Sequence, residues 1–312
     1  MDIAAVVPVA ETTRNGVVES IHHGAVVVIA ADGSIAWSAG DPDVAIYPRS
    51  SLKPLQAQAL VDTGMELPTN QLAVACASHS GEPMHIETVR QLLASFGLSE
   101  ADLGNTPALP LDGDAANAVL RAGGGPTRIS QNCSGKHASM LAACVVNGWP
   151  TADYLDSEHP VQQVIDAYIS KAAGGVTHTG IDGCGAPTAM VSLRGLAAAV
   201  RDLAVRNEAT YVAMTSRPDL VDGSGRHDTD LMRHVPGLVA KGGADGVYVA
   251  AHPDGRAAAL KIADGSERAR LPVMVAALRS LGFDADAVPV PAVLGHGRPV
   301  GEIRSLVGAA PR

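Results

Sequence analysis

The hydrophobic pattern predicts strands at both ends of the chain and helices between them. From Gly16 to Gly40 it predicts a β-hairpin. Val17, Val18, Ile21 and the run Val26–Ile29 are mostly β-branched, and Asp32-Gly33 supplies a two-residue turn ahead of Ser34–Ser38. Ser50 or Ser51 then opens a predicted helix through Leu52, Leu55, Ala59 and Leu60 that ends near Gly64. Pro54 falls in its first turn, where proline is tolerated. From Glu82 to about Arg206 the spacing is mostly helical. It predicts helices over Glu87–Phe96 with Gly97 as a C-cap, His137–Val146, Val161–Ala172 and Ala186–Ala204. Strand signals return at Gly246–Ala251 and Arg256–Ile262, on either side of Pro253-Asp254-Gly255. A helix over Arg268–Leu281 and a short strand near Glu302–Val307 follow.

This order predicts a mixed α/β (α+β) fold in a single domain over residues 1–312. One antiparallel sheet would combine segments at about 15–50 and 245–312, and a helical block at about 82–240 would be inserted between them and pack on it. The active cleft of such a fold is expected between sheet and block.

Composition narrows the possibilities. The chain has 312 residues, 46% of them apolar and only 3% aromatic, so its core must be built from Ala, Val and Leu. Its net charge of −9 gives no general reason to bind nucleic acid or an anionic membrane. Apolar runs such as Ala25–Ala31 are too short to span a bilayer, and Asp2, Glu11 and Arg14 interrupt any leader-like opening. A cytoplasmic protein is expected. In that compartment the four cysteines would be reduced. Cys76 and Cys144 sit in apolar runs, as buried hydrophobes do. Cys133 and Cys184 sit among Gly, Asp, Asn and Lys, where a polar site fits better.

Several constellations could carry chemistry. Ser50 and Lys53 stand i, i+3 on one helical face, and a lysine made neutral by burial can activate a serine. The alternative is an N-cap serine followed by a solvated lysine. Ser78 in Ala77–Glu82 could pair with Lys261 across the cleft, or these could be an N-cap and an edge-strand lysine. Cys133, Cys184, His137 and Asp182 have the chemistry of a zinc site, although their spacing does not specify one. The charged, Gly-rich stretch Asp222–Asp230 reads more as a solvated loop than as a site, although its place before the returning strands keeps it a candidate. There is no GxGxxG, Walker A or HExxH motif.

Taken together and in order, Tyr47–Pro54, Ala77–Glu82, Asn132–His137, Gly180–Gly185, Met214–Asp219 and Gly223–Arg226 resemble the asparaginase II family, the rhizobial-type, class 3 L-asparaginases. The resemblance runs from about Val17 to Leu281. It implies a fold like that of serine β-lactamases and penicillin-binding proteins, and hydrolysis of L-asparagine to L-aspartate and ammonia. It implies two Ser–Lys tandems, Ser50 with Lys53 and Ser78 with Lys261. It places Zn2+ on Cys133, Lys136 and Cys184, and a substrate pocket at Arg49, His137 and Asp182. A homodimer is the family expectation. Two other readings stand beside it: a serine amidohydrolase of the same fold acting on β-lactams or D-Ala peptides, and a zinc- or ligand-binding protein without activity. Against the first, Lys261 is followed by Ile262 and Ala263 rather than by Thr-Gly.

Overall fold

The computed structural model describes residues 2–308. The main sheet has eight strands. β1 (Val7–Arg14), β2 (Val17–Ile29) and β3 (Ile35–Ala39) come from the N-terminal end. A two-residue strand, β4 (Ala45–Ile46), and the hairpin β5 (His178–Ile181) and β6 (Pro187–Ser192) form a separate small sheet in the order β4-β6-β5. β7 (Val239–Gly243), β8 (Val247–Ala251), β9 (Ala257–Ile262), β10 (Ala292–Gly295) and β11 (Arg298–Ser305) return to the main sheet. Its order is β10-β11-β1-β2-β9-β8-β7, with β3 also on β2.

β2 is the organising strand. Its first half pairs with β1, and its second half lies between β3 and β9, with Val27 opposite Ala259. Val26, Val27 and Val28 are fully buried, as are Ala258 and Ala259 across from them. Every residue of β7 and β8 is buried, so both faces of this half of the sheet are covered.

The helices are α1 (Lys53–Val61), α2 (Thr69–Ala75), α3 (Pro83–Ser95), α4 (Gly113–Arg121), α5 (Ser134–Asn147), α6 (Pro160–Ala173), α7 (Leu193–Val205), α8 (Ala209–Ser216), α9 (Pro218–Val221), α10 (His227–His234) and α11 (Arg270–Ser280). α7 and α11 pack against β8 and β9, and α1, α2 and α5 form the centre of the helical block. Small residues permit the closest contacts. A Cβ on Gly135 of α5 would lie 2.1 Å from the Val74 carbonyl oxygen of α2. One buried apolar cluster runs from Ala5 to Val288 through both sheet and block.

The strand–helix–strand order follows the reading from sequence, with two corrections. Ala186–Ala204 is not one helix. Pro187–Ser192 is a strand paired with both β4 and β5, and α7 begins only after Ser192, whose side chain accepts from the Gly195 N–H as N-cap. The sheet also reaches beyond its expected limits, to Val7 at one end and Val239 at the other. Among the described residues, no helix is long and apolar enough to cross a membrane.

Candidate active site

The chain leaves β4 through Tyr47 and Pro48 and enters a 3-10 turn, Arg49–Leu52, that leads directly into α1. Arg49 has a left-handed φ of 55°, which an arginine adopts only where its surroundings enforce it. The two serines that follow diverge. Ser51 is fully buried and donates to the Lys241 carbonyl oxygen at 3.0 Å. Ser50 lines a cleft of about 310 Å3 between β7, the Asp222–Asp228 segment and the start of α11. The hydroxyl available for chemistry is therefore that of Ser50.

Lys53, at the first position of α1, is 1% exposed. Its Nζ donates to the Ala77 carbonyl at 2.5 Å and to Ser78 Oγ at 3.1 Å. Burial lowers its pKa. The nearby Cys133 pulls the other way, and the neighbouring charges of Lys241 and Lys136 reinforce the drop. The lowering is in the direction that a lysine base requires.

Ser78 follows α2, held by its N–H to the Val221 carbonyl at 2.9 Å, and its side chain also lines the cleft. Ser80 is committed elsewhere, donating to Glu82 Oε2 at 2.6 Å. The expected pairing of Ser78 with Lys261 does not form. Lys261 lies on β9 opposite Ala25 and Val247, and its amine reaches the Asp245 carbonyl in the β7–β8 turn. Ser78 Oγ accepts from Lys53 instead.

Lys241 is a cleft residue that the sequence reading missed. It lies on the edge strand β7, 1% exposed, and donates to Asp228 Oδ2 at 2.7 Å. The signal for it was Lys241-Gly242-Gly243 between Val239 and Val247: two glycines after a lysine in a strand mark a close approach. A Cβ on Gly243 would lie 2.2 Å from the Pro48 carbonyl oxygen, so the strand docks on the Ser50 turn only because position 243 has no side chain. The Asp222–Asp228 segment is likewise part of the wall and not a solvated loop. Asp222 and Asp228 are buried, and both line the cleft with Arg226.

The remaining expected residues gather beside Lys53. Cys133 precedes α5 and Lys136 is in its first turn, while Cys184 sits within the tight turn that the Gly185 N–H closes on the Asp182 carbonyl. Cys133 and Cys184 are buried together in a small cluster with Ala186, and Lys136 Nζ donates to Cys184 Sγ at 3.2 Å. The neighbouring Cys184 thiol holds the Cys133 thiol well below its usual range, with Lys53 and Lys136 adding to this against the opposing effect of burial. The Cys184 thiol is raised in return. Burial opposes the Lys136 charge, but the two sulfurs outweigh it and raise its pKa. His137 points another way: its Nδ1 is 2.8 Å from the Tyr154 hydroxyl, and burial keeps the ring neutral. Among the described residues no group of three His, Cys, Asp or Glu side chains could hold a metal. Two sulfurs and one amine buried together do form a compact donor set of the kind a soft tetrahedral ion takes.

Arg49 and Asp182 come together, but as partners of each other. Arg49 Nη2 lies 2.7 Å from Asp182 Oδ1, and Arg49 also pairs with Asp245. Burial alone would raise the Asp182 pKa, but Lys136 and Arg49 keep the carboxyl below the usual carboxylate range. Neither Arg49 nor Asp182 lines the cleft that holds Ser50 and Ser78.

A cleft with two available serines and a buried lysine defines a site suited to acyl transfer. The profile of the L-asparaginase II family matches residues 10–305, and the chain belongs to that family, whose chemistry is that of asparaginase-type amidohydrolases. No curated protein sequence matches it. Solved structures that it is similar to include a provisionally named β-lactamase from Bacteroides dorei DSM 17855, at 16% identity and a TM-score of 0.43, covering 77% of this chain and 84% of that one. Another is a β-lactamase from Mycobacterium bovis, at 15% identity and a TM-score of 0.35, covering 78% and 88%. These likenesses are remote and nothing below rests on them.

Proposed function

We propose that the protein hydrolyses L-asparagine to L-aspartate and ammonia, with Ser50 as nucleophile. The observation that carries this reading is the buried Lys53 amine, which lies 3.1 Å from the Oγ of Ser78, one of the two serines that line the cleft, and three residues along the chain from the other, Ser50. Ser50 Oγ attacks the side-chain carboxamide carbon and gives its proton to neutral Lys53, directly or through Ser78. The tetrahedral oxyanion is received by backbone N–H groups at the start of the Ser50 turn. Its collapse expels ammonia, to which Lys53 returns the proton, and leaves an ester on Ser50. Water then attacks the ester, its proton passing by the same route, and aspartate departs with Ser50 restored. Lys241, across the cleft and paired with Asp228, is a second amine that can hold charge near the reacting atoms. Lys261 has no part in these steps.

Cys133, Cys184 and Lys136 are the residues that would hold zinc in this reading. A bound Zn2+ would place a fixed positive charge beside the cleft to polarise and orient the substrate. Elemental analysis of the purified protein should find one zinc per chain, and none in a Cys133→Ser/Cys184→Ser double variant. Equal zinc in both would remove the metal from the reading.

The activity is tested by ammonia release from L-asparagine, with nitrocefin as the control for β-lactam hydrolysis. Turnover of asparagine and none of nitrocefin is expected. Ser50→Ala should lower kcat by roughly four orders of magnitude while leaving the far-ultraviolet circular dichroism unchanged. A Ser50→Ala enzyme with more than about a tenth of wild-type kcat would remove Ser50 from its role.

A further inference from the structure

An amino-acid substrate brings a carboxylate into the cleft, and a buried carboxylate needs a cation with donors to spare. Arg49 is poorly placed to supply them. Its guanidinium is taken up by Asp182 and Asp245, and it does not line the cleft. Arg270 does line it. Arg270 stands at the start of α11 and is 7% exposed. One arm of its guanidinium, Nη1, donates to the Gly243 carbonyl at 2.7 Å. Gly243 is the residue that docks on the Ser50 turn, so Arg270 is one residue removed from the nucleophile's own support. Its Nε is buried and has no acceptor among the described residues. The nearby buried carboxylate, Asp228, does not accept from it. Asp228 already accepts from Lys241 Nζ at 2.7 Å and from the Gly242 N–H at 3.0 Å. The Glu267 carboxylate is mostly exposed and approaches only Nη1, at 3.7 Å. A buried guanidinium donor without an acceptor is costly, and it becomes an asset when a ligand completes it.

We propose that Arg270 binds the α-carboxylate of the substrate through the edge that carries Nε, and that it thereby makes the enzyme select free asparagine over asparagine blocked at that carboxyl. This rests on the asparaginase reading and adds a residue and a selectivity to it. Packing of α11 against β8 and β9 fixes the guanidinium in the cleft wall. A substrate whose α-carboxyl is esterified or in peptide linkage cannot pair with the charge and leaves the donor unmet.

The test compares ammonia release from L-asparagine and from its α-methyl ester, which carry the same side-chain carboxamide. Wild-type enzyme should favour the free acid by tenfold or more in kcat/KM. Arg270→Gln should bring that ratio close to one, chiefly through a higher KM for asparagine, and Arg270→Lys should restore part of it. A folded Arg270→Gln enzyme that loses activity on both substrates equally, keeping the ratio, would overturn the inference and leave the asparaginase reading standing. Should neither Arg270 variant fold, Arg49→Gln decides. Retention of the ratio there supports Arg270, and its loss assigns the carboxylate to Arg49. A wild-type enzyme with no preference overturns the inference, and one with no turnover of either substrate overturns the asparaginase reading and the inference with it.

Discussion

Ser50 and Ser51 carry the same hydroxyl into opposite environments. One faces the cleft, and the other is spent on a backbone carbonyl of β7. The same contrast separates the lysines: Lys53 touches Ser78 in the interior, while Lys261 reaches a turn carbonyl away from it. If Lys53 is a base, charge alone cannot replace it, because arginine does not deprotonate in proteins. Lys53→Arg and Lys53→Ala should then lose kcat/KM alike, each by about a thousandfold or more, in steady-state ammonia release. An active Lys53→Arg enzyme would contradict this. The thiols divide too. Burial pushes Cys76 up to about 12 and Cys144 up to about 11. Both should stay unlabelled by iodoacetamide in the native protein at pH 8, as read by peptide mass spectrometry. Fast labelling of either would show that its surroundings open readily. All four cysteines are buried, and what separates Cys133 and Cys184 is the lysines beside them, which their polar neighbours in the sequence hint at.

At the scale of elements, two glycines do similar packing work with different consequences. Gly135 lets α5 meet α2, and Gly243 lets β7 meet the Ser50 turn. Alanine at either position forces a clash with a backbone carbonyl and should cost about 1–3 kcal/mol, measured by urea unfolding. Only Gly243→Ala moves the strand away from the Ser50 turn. It should therefore lose far more activity than Gly135→Ala at matched stability, and equal losses would refute the docking role of Gly243. Elements were legible from sequence where punctuation was strong: Asp32-Gly33 and Pro253-Asp254-Gly255 mark real turns between β2 and β3 and between β8 and β9. They were illegible where it was weak. Between Pro187 and Val205 no turn pair separates strand from helix, and only tertiary pairing with β4 and β5 makes the first part extended. Lys241 was hidden for a related reason. A lysine beside two glycines reads as a turn until the strand it belongs to is paired with β8.

For the whole molecule, burial of neutral histidines sets the response to acid. Burial keeps His79 and His137 well below the usual histidine range. The unfolded chain takes up protons there below about pH 6.5 and the folded chain does not. The stability these two groups contribute is thus present above that pH and is lost as pH falls, by roughly 1.4 kcal/mol per histidine per pH unit. Urea midpoints should decline from pH 7 to pH 5, and His79→Gln should make the decline shallower. A flat profile would mean that neither histidine is kept neutral by the fold. The overall architecture was legible because strand patterns at the two ends need each other to bury an apolar face. The cleft was less so, because its walls come from Ser50, Ser78, Asn132, Asp222, Lys241 and Arg270, which no local window contains.

The pairing of β2 with β9 also dictates a timetable for synthesis. Gly24–Ile29 emerge early from the ribosome, but their partners Ala257–Ile262 arrive only after more than two hundred further residues. Until then β2 can pair only with β1 and β3, and one of its edges stays open to foreign strands. The helical block can gather around its own core in the meantime, yet the Ser50 turn has nothing to dock on before β7 is made. Nascent chains released before Ile262 should be inactive and prone to aggregate, whereas the finished chain closes its sheet and the cleft beside Ser50 in the same late step.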